Sequence, residues 1–307
     1  MSLLLLGSLA LDTIRTPQHG EAAHLLGGTA SYAVVSASLF TKTHLLSIVG
    51  EDFPEEYLND FKKREIDLQG LQIVPGKSFR WSAEYAQDMN ERRTLSTELN
   101  VFANFIPTLP EHYRQLPFVL LANIGPDLQA HVLDALQSPR FVMADTMDLW
   151  INIARKELLA LLKRIDLLSL NESEARALTG ERNLIRAGQL LCTMGPKYVV
   201  LKKGEHGCFF FAEDDFFVLP AFPLEEVMDP TGAGDSFIGA FAGYLASRTP
   251  QIDQPGVIKI DLLRQAAIHG TLMASFTVEA FGLDRLRHVT RNQLEERLER
   301  FEKIIGG

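Results

Sequence analysis

The sequence has few cysteines, no excess of basic residues and no long apolar run. Its two cysteines, Cys192 and Cys208, form no Cys-x-x-Cys pair, so we expect buried thiols in a reducing compartment rather than a disulfide framework. Acidic residues outnumber basic ones by 39 to 30, and the net charge of -9 argues against a nucleic-acid partner. No apolar run approaches the roughly 18 residues that span a bilayer. We therefore expect a cytoplasmic protein without a membrane partner.

Several catalytic motifs are also missing. The sequence contains no Gly-x-Ser-x-Gly nucleophile elbow, no His-Glu-x-x-His zinc motif and no Gly-x-Gly-x-x-Gly dinucleotide fingerprint. Gly76-Lys77-Ser78 resembles the end of a P-loop, but Leu71 stands where that motif requires glycine. These absences argue against an α/β-hydrolase, a zinc peptidase and a P-loop nucleotide site.

The sequence does contain a regular alternation of short apolar runs and helix-like stretches. The apolar runs predict buried strands at 3–6, 44–49, 117–121, 141–145, 167–169 and 198–202. The longer stretches predict helices at 29–40, 55–64, 127–137, 153–164, 172–178, 185–194, 235–247 and 262–278. Such alternation is typical of a mostly parallel sheet covered by helices on both faces. We therefore expect an α/β fold in which residues 1–307 form a single domain.

One segment, residues 77–105, breaks this alternation. Apolar side chains alternate with polar ones from Phe79 to Tyr85, and a turn follows at Asp88-Met89-Asn90. This pattern predicts a two-stranded hairpin that is polar on one face. Residues 12–26 form a second short, broken segment that is expected to pair with it. The resulting small sheet would stand off the main body and serve as a lid or as the surface of a homodimer.

The most informative motif is the run Asp229-Pro-Thr-Gly-Ala-Gly-Asp-Ser, which leads directly into an apolar helix. The first N–H groups of a helix have no internal partner, and small residues leave room for an anion to reach them. The amides of residues 232–234 therefore predict an anion site. Asp235 beside such a site is suited to take a proton from an attacking hydroxyl. The alternative is a glycine-rich turn in which Asp235 only caps the helix.

Two further helix starts and one acidic residue are candidates for ligand contacts. Asn171 and Glu174 follow a predicted strand, where open α/β sheets bind ligands, and they suit Mg²⁺ and phosphates; a helix cap is the alternative. Gly27-Gly28 precedes the first predicted helix and either admits a ligand closely or forms a tight turn. Asp12 follows the first strand and either accepts hydrogen bonds from ligand hydroxyls or is a surface carboxylate.

Together these motifs resemble the ribokinase-like family of sugar and nucleoside kinases, also called the phosphofructokinase-B family. The resemblance covers nearly the whole chain and keeps the order of the family's features: Asp12, Gly27-Gly28, the lid hairpin, Asn171-x-x-Glu174, the turn at 199–204 and the loop at 229–235. It implies a three-layer α/β/α fold with a central, mostly parallel sheet and a small β lid. It also implies a kinase that uses ATP and Mg²⁺.

The resemblance implies a role for each matched residue. Asp235 would be the catalytic base, and Gly232, Ala233 and Gly234 would form the anion hole. The residues implied for the nucleotide are Asn171, Glu174, Lys202, Gly204 and Thr231, with Gly270 and Met273 on a helix beside the adenine. The residues implied for the acceptor are Asp12, Gly27, Gly28, Tyr32, Phe79 and Trp81. Glu174 would serve Mg²⁺, and Asp229 with the turn near Gly282 would hold a monovalent cation such as K⁺, as in some members.

One departure from the family pattern concerns the acceptor. Many sugar kinases of this family carry Asn four residues after the second glycine of the Gly27-Gly28 pair, and this chain has Tyr32. That asparagine contacts sugar hydroxyls, so its replacement argues against ribose. An aromatic ring there, together with Phe79 and Trp81 of the lid, suits a flat nucleobase. The sequence therefore favours a nucleoside of the adenosine type as acceptor.

The expected reaction transfers the ATP γ-phosphoryl group to a primary hydroxyl of a sugar or nucleoside. One alternative is a kinase for a phosphorylated sugar such as fructose 6-phosphate, for which Arg80, Arg92 and Arg93 of the lid would supply cations. The competing interpretation of these arginines is a solvated hairpin face. The alternative from another class is a nucleotide-binding regulatory protein without catalysis.

Overall fold

Short apolar runs form strands and longer periodic stretches form helices in the computed structural model, which describes residues 2–89, 92–212, 215–248 and 254–306. The strands are β1 (Ser2–Leu6), β2 (Ala10–Thr16), β3 (Gly20–Gly27), β4 (Lys42–Gly50), β5 (Asp67–Val74), β6 (Phe79–Tyr85), β7 (Arg92–Glu98), β8 (Phe118–Leu121), β9 (Phe141–Asp145), β10 (Leu167–Asn171), β11 (Tyr198–Lys202), β12 (Cys208–Phe211) and β13 (Phe216–Leu219). The helices are α1 (Thr29–Ser38), α2 (Glu55–Lys63), α3 (Pro126–Ala135), α4 (Asp148–Ile153), α5 (Arg155–Leu162), α6 (Glu172–Thr179), α7 (Leu184–Thr193), α8 (Ala233–Ser247), α9 (Ile260–Thr277) and α10 (Arg291–Ile305).

A nine-stranded sheet organises the main body, in the order β13-β12-β11-β10-β9-β8-β1-β4-β5. The strands from β11 to β5 in this order pair in parallel, and β12 and β13 add an antiparallel edge. The strand order reverses at β1, which pairs with both β4 and β8. Open α/β sheets bind ligands at such a switch point, beyond the carboxyl ends of the strands.

The sheet separates two apolar cores. Leu3 and Leu5 of β1 face one core with α1, α8 and α9, whereas Leu4 and Leu6 face the other core with α3 to α7. All four leucines are fully buried. Successive side chains of a strand point to opposite faces, so a strand buried on both faces becomes a continuous apolar run. This arrangement confirms the predicted α/β fold with helices on both faces of a mostly parallel sheet.

A second, four-stranded sheet has the order β3-β2-β6-β7. Here β2 pairs with β3 and β6 pairs with β7 as antiparallel hairpins, and β2 and β6 pair in parallel. The segments predicted to pair into a small sheet therefore do so. In the turn predicted after Tyr85, Asp88 and Met89 are described, whereas Asn90 lies outside the described residues. Every described residue of β7 is exposed. The lid and homodimer roles of this sheet stay predictions.

Sequence reasoning missed elements at the edges of the fold. β5, β12 and β13 border the large sheet, and α10 packs on α9 near the end of the chain. The edge strands β12 and β13 alternate less clearly because Phe209 and Phe216 remain partly or fully exposed apolar residues. In the part of the chain that the structure describes, no helix has both the length and the apolar character needed to cross a membrane.

Candidate active site

The loop before α8 forms the entrance of a long, buried helix. Gly232 is the residue that precedes the helix, with φ of 76°, and no side chain caps the helix there. Asp235 lies three residues further along, in the first turn, so the interpretation of Asp235 as a plain helix cap is wrong. The Ser236 N–H already donates to the Gly232 carbonyl at 2.8 Å. The Gly234 and Asp235 amides belong to the first turn, which has no helical acceptors for them.

One of the three backbone N–H groups predicted for the anion hole already donates a long hydrogen bond within the loop. The Ala233 N–H donates to the Pro230 carbonyl at 3.3 Å, which is long for a hydrogen bond. The neighbouring loop is held by Asp229, whose carboxylate accepts from the Thr231 N–H at 2.9 Å and the Gly282 N–H at 3.0 Å. Asp229 and the turn at Gly282 are thus close, as predicted, but both oxygens of the Asp229 carboxylate accept hydrogen bonds from backbone N–H groups here. Whether Asp229 holds K⁺ stays a prediction.

The carboxyl group of Asp235 has a strongly altered acidity. Burial, and then the nearby Asp145 carboxylate, raise the pKa of Asp235 from 3.8 to about 7, although Lys202 and Arg92 act in the opposite direction. A general base is most effective when its pKa lies near the working pH. Asp235 therefore combines a helix entrance suited to anions with the acidity expected of a base.

Three polar residues meet where adjacent parallel strands end. Asp145 closes β9, Asn171 closes β10 and Lys202 closes β11, and register pairs Asn171 with Lys202. The Lys202 ammonium donates to Asp145 Oδ2 at 2.8 Å. A Cβ atom placed on Gly234 would lie 3.1 Å from the Lys202 Nζ, so the ammonium lies beside the loop. Burial would lower the pKa of Lys202, but Asp145 and Glu174 outweigh it and raise that pKa, so the ammonium stays charged.

Asn171 and Glu174 form a helix cap. The Asn171 side chain accepts from the Glu174 N–H at 2.9 Å, and Glu174 Oε2 accepts from the Asn171 N–H at 2.7 Å. This capping box is the structural alternative foreseen for the pair. Burial nevertheless raises the pKa of Glu174 to about 8, against the lowering effect of Lys202.

The oxygen donors at this edge of the sheet suit Mg²⁺. The ion takes one or two carboxylates together with phosphate oxygens and keeps several waters. Burial raises the pKa of Asp145 as well as that of Glu174, which means that a further positive charge nearby would stabilise both ionised forms. Asp145, Asn171 and Glu174 are therefore the residues that fit Mg²⁺, and Asp145 was missing from the sequence prediction.

A cavity of about 750 Å³ adjoins the loop and the end of β11. Lys202 and Gly204, which were predicted for the nucleotide, line it together with Ala233 and Gly234 of the predicted anion hole. Thr271, Ala274 and Ser275 of α9 also line it, together with Val278 just after the helix. These positions recur every three or four residues and share one helix face.

Two of the predicted nucleotide residues lie on another face of α9. Met273 is fully buried in the core, and a Cβ atom on Gly270 would meet the Phe237 carbonyl at 2.8 Å. Neither residue is among those that line the cavity. The helix chosen for the nucleotide therefore borders the cavity, but the residues chosen on it face the core. Thr231 also lies outside the cavity lining, because its hydroxyl is taken up by a contact with the small sheet.

The small sheet reaches the loop through Tyr85. The Tyr85 hydroxyl lies 2.9 Å from the Thr231 hydroxyl and forms a hydrogen bond with it. The turns at the tips of both hairpins, with His19 from one and Met89 from the other, line the cavity. The small sheet thus covers the site in this structure.

Asp12, on β2 of this sheet, has a buried carboxylate with one oxygen unsatisfied. Its Oδ1 is buried and has no hydrogen-bond partner among the described residues. A Cβ atom on Gly27 would lie 1.9 Å from Asp12 Oδ2, so only glycine fits there, and the Gly28 backbone, with φ of 86°, hydrogen-bonds the carboxyl. Burial, followed by the charge of Asp229, raises the pKa of Asp12 from 3.8 to about 8. A buried acceptor without a partner is the expected state of a group that awaits a ligand donor.

Tyr32 does not offer the free ring that stacking on a base requires. Its exposure is 1%, and a Cβ atom on Gly232 would lie 2.3 Å from the ring. The Tyr32 hydroxyl is buried without a partner, and burial with the charges of Asp229 and Asp12 raises the pKa of Tyr32 well above its usual value. The hydroxyl, not the ring face, is therefore the part of Tyr32 available for a ligand.

The two lid aromatics predicted for the acceptor differ in their surroundings. Phe79 stacks on Phe102 with 5.7 Å between the ring centroids, so that ring is already packed. Trp81 is the register partner of Asp12 across β2 and β6, which places both side chains on one face of the small sheet. The guanidinium of Arg92 lies 5.0 Å from the centroid of the Trp81 ring.

Of the three lid arginines, Arg92 is the one directed to the site. Arg93 pairs with Glu84 at 2.8 Å on the solvated face of the hairpin, whereas the partly exposed Arg80 pairs with Asp52 at 2.7 Å. Arg92 instead hydrogen-bonds the Tyr85 side chain and lowers the pKa of both Asp12 and Asp235. Arg92 is exposed, as expected for a solvated hairpin face, but it also acts on the charges of the carboxyl groups in the site.

Comparisons with known proteins agree with this geometry. The pfkB family of carbohydrate kinases matches residues 13–285. A cytidine kinase from Thermococcus kodakarensis is 32% identical over 255 residues, which cover 81% of this chain and 90% of that protein.

The chain belongs to the pfkB family of carbohydrate kinases.

Solved structures of this pfkB fold superpose over nearly the whole chain. The nucleoside kinase of Methanocaldococcus jannaschii has a TM-score of 0.76 at 21% identity and covers 97% of this chain and 98% of its own. The ribokinase of Giardia lamblia has a TM-score of 0.80 at 17% identity and covers 98% and 99%. The predicted three-layer fold is thereby confirmed. As a pfkB family kinase, the chain is a phosphotransferase that acts on a sugar or nucleoside hydroxyl.

Sequence reasoning missed one charged residue of this pfkB kinase site, Asp145, and did not distinguish a second, Arg92, from the neighbouring lid arginines. Asp145 ends a correctly predicted strand, next to the strands that end in Asn171 and Lys202, so the rule that placed Asn171 at this edge could have found it. Arg92 had no such signal, because only the register of β6 and β7 distinguishes it from Arg93.

Proposed function

We propose that this kinase transfers the γ-phosphoryl group of ATP to the 5′-hydroxyl of a ribonucleoside. The observation that carries the proposal is a pair of carboxyl groups, buried at Asp12 on the small sheet and partly buried at Asp235 in the first turn of α8, close enough that the charge of Asp235 raises the pKa of Asp12. One stands at the helix entrance suited to phosphate, and the other has an unpartnered oxygen suited to a hydroxyl. Because the chain shares sequence identity with a cytidine kinase, cytidine is the first acceptor to test. It takes the place of the adenosine-type acceptor favoured by the sequence.

Asp235 is proposed to take the proton of the attacking hydroxyl. With a pKa near 7, about half of its carboxyl groups are ionised at neutral pH, and the group holds a proton readily once it receives one. Its position in the first turn of α8 brings the acquired proton next to the amides that face the phosphoryl group.

The charge of the moving phosphoryl group is proposed to be neutralised from several sides. The Gly234 amide and the Lys202 ammonium lie on the nucleotide side, and Arg92 approaches from the small sheet. Fixed donors aimed at developing charge are the main protein contribution to phosphoryl transfer. Mg²⁺, held by Asp145, Asn171 and Glu174, would neutralise charge on the β- and γ-phosphate oxygens when bound.

Asp12 is proposed to orient the acceptor. Its unpartnered oxygen, close to the Gly27 and Gly28 backbone, suits a hydrogen bond from a ribose hydroxyl. An acceptor hydroxyl would supply the partner that Oδ1 lacks, and leaving such a group unpaired typically costs about 1–3 kcal/mol. The small sheet would act as a lid that keeps water from competing with the hydroxyl, with Tyr85 and Thr231 as its latch.

A coupled assay of ADP release over a panel of acceptors tests the proposal. The panel contains cytidine, uridine, adenosine, inosine, free ribose and fructose 6-phosphate, each with ATP and Mg²⁺. We expect at least one nucleoside to exceed ribose in kcat/KM by about 100-fold or more. Comparable values for ribose and every nucleoside would contradict the proposal. Repeating the assay in K⁺ and in tetramethylammonium salts tests the monovalent cation predicted at Asp229.

The position of Arg92 is the reason to test a phosphorylated sugar as an alternative acceptor. An arginine that faces the site is the kind of group that binds a phosphate already present on a sugar. Because Arg80 and Arg93 are paired with carboxylates, Arg92 would act alone among the lid arginines. A preference for fructose 6-phosphate over all nucleosides would favour that alternative.

A further inference from the structure

A second cluster of polar side chains lies at the opposite edge of the large sheet. His44 is near the start of β4, Asp67 begins β5 and pairs with it in register, and His112 lies in the 3₁₀ turn Glu111–Gln115. One ligand atom from each of the three residues lies within 4.8 Å of the others. Among the described residues, this is the group of His, Cys, Asp and Glu side chains with such spacing.

The distances within the cluster suit a first-row divalent metal. His112 Nε2 lies 3.2 Å from Asp67 Oδ2, and His44 Nε2 lies 3.9 Å from the same oxygen. Two ligands on a tetrahedral Zn²⁺, with bonds near 2.0–2.1 Å, are about 3.3–3.5 Å apart. Both distances to Asp67 Oδ2 lie within a few tenths of an ångström of this spacing. The ligand nitrogens of the two imidazoles lie within 4.8 Å of each other and would approach further on binding, a movement open to the half-exposed His112 side chain. Two imidazoles and one carboxylate are a ligand set that zinc uses, with water in the fourth position.

The surroundings fix the carboxylate of Asp67 in the orientation that a metal requires. Its other oxygen, Oδ1, accepts from the Tyr113 hydroxyl at 3.0 Å and from the Gln69 N–H at 2.9 Å. Oδ2 is thereby left to face both histidines. Hydrogen bonds of this kind to ligand carboxylates are a regular part of metal sites and orient the ligand.

The cluster is both preformed and reachable. The side chain of His44 is almost fully buried and that of Asp67 is 11% exposed, whereas that of His112 is 46% exposed. The ring of Tyr113 packs edge-on against both imidazoles, with centroid distances of 5.1 Å and 4.7 Å. Two ligands are therefore held rigidly, and the third stands at the surface where an ion would enter.

The cluster is remote from the catalytic residues. His44 lies near the amino end of β4, about 20 Å along the strand from its carboxyl end at Gly50, where the active-site edge begins. We propose that His44, Asp67 and His112 bind one Zn²⁺ ion, which fastens the 3₁₀ turn Glu111–Gln115 to the start of the edge strand β5. The inference does not depend on which acceptor the kinase uses.

Calorimetric titration of untagged, chelator-treated protein with Zn²⁺, without nucleotide, tests the proposal. We expect one bound ion per chain, a rise in Tm with Zn²⁺, and no comparable binding of Mg²⁺, which prefers oxygen ligands. In His112→Gln, whose amide can still hydrogen-bond Asp67, the affinity should fall by at least about tenfold. The matched control is His288→Gln, an exposed histidine outside the cluster, which should bind like the wild type.

A second measurement uses Co²⁺, which reports its own coordination. We expect the intense visible absorption of four-coordinate Co²⁺ in the wild type and its loss in His112→Gln. The kcat with ATP and the best acceptor should stay within about twofold with or without Zn²⁺, because the cluster is remote from the reacting atoms. The absence of Zn²⁺ binding, or equal binding by His112→Gln, would overturn the proposal and leave a hydrogen-bonded His–Asp–Tyr cluster.

Discussion

On the acceptor side of the active site, Asp12 and Tyr32 are enclosed and each carries a side-chain oxygen without a partner. On the nucleotide side, Lys202 and Asp145 are paired at 2.8 Å beside an open cavity. The carboxyl group of Asp145 ends a strand of the large sheet and is paired within the protein, whereas that of Asp12 lies on the small sheet and keeps one oxygen without a partner.

This difference indicates where the ligands contribute most. A paired, charged nucleotide side is already organised before ATP arrives, so its residues mainly neutralise phosphate charge. The unsatisfied acceptor side is held in a costly state until hydroxyl groups supply the missing hydrogen bonds. We therefore expect substitutions on the nucleotide side to affect catalysis and stability together, and those on the acceptor side to affect them in opposite directions.

The largest effect is expected at the boundary between the two sides. Asp235→Asn removes the base but keeps the shape of the first turn of α8, so kcat should fall by about 10²–10⁴-fold. The affinity for ATP, measured by calorimetry, should change by less than about threefold. A variant with near-normal kcat would remove Asp235 from the role of base.

On the nucleotide side, Lys202→Ala should reduce kcat/KM by about 100-fold, because a fixed positive charge beside the loop is lost. It should also reduce the free energy of unfolding by up to about 3 kcal/mol, because Asp145 is left buried without its partner. Urea denaturation measures this loss. The double variant Lys202→Ala/Asp145→Ala should regain stability but not activity; a double variant no more stable than the single one would contradict the pairing.

The lid offers a matched pair of arginines for a smaller effect. Arg92→Ala should lower kcat by roughly tenfold, because Arg92 contributes positive charge to the covered site. Since Arg92 also lowers the pKa of Asp235, the apparent pKa in the kcat profile should rise in this variant. Arg93→Ala is the control, since Arg93 pairs with Glu84 at the surface. Equal effects of the two substitutions would show that Arg92 has no special place.

The smallest effect concerns the stability of the ligand-free protein. The pKa of Asp12 is raised from 3.8 to about 8, so between these values the folded state holds a proton that the unfolded chain has released. The contribution of Asp12 to the free energy of unfolding is therefore most favourable at low pH, and it is lost as the pH rises toward 8. Asp12→Asn should flatten this dependence and unfold at a higher Tm than the wild type at pH 8, while acceptor affinity falls. A lower Tm at pH 8 would contradict the account.

The sequence predicted the main sheet well because its central strands are buried on both faces and read as continuous apolar runs. It also selected Lys202 and Asp235, because one ends a strand and the other lies in the first turn of a helix, whereas Asp12, expected just after the first strand, lies within β2 of the small sheet. The edge strands β12 and β13 were missed, since partial burial weakens their pattern. The sequence of α9 is apolar on nearly every face, so it does not show which face of the helix borders the cavity. Gly270 and Met273 were therefore chosen in place of Thr271 and Ala274.

Other features depended on contacts that sequence does not encode locally. Tyr32 was expected to stack on a base, but its ring packs on Gly232, more than 190 residues away in the chain. Arg92 and Arg93 are neighbours of the same type, and the strand pairing of the small sheet decides which of them faces the site.

The most direct test of the central claim is the pH dependence of kcat with saturating ATP, Mg²⁺ and the best nucleoside. If the Asp235 carboxyl is the base, kcat should fall about tenfold per pH unit below an apparent pKa near 7, and the residual rate of Asp235→Asn should not depend on pH. A wild-type kcat that stays constant between about pH 5.5 and 8.5, with chemistry rate-limiting, would contradict the claim.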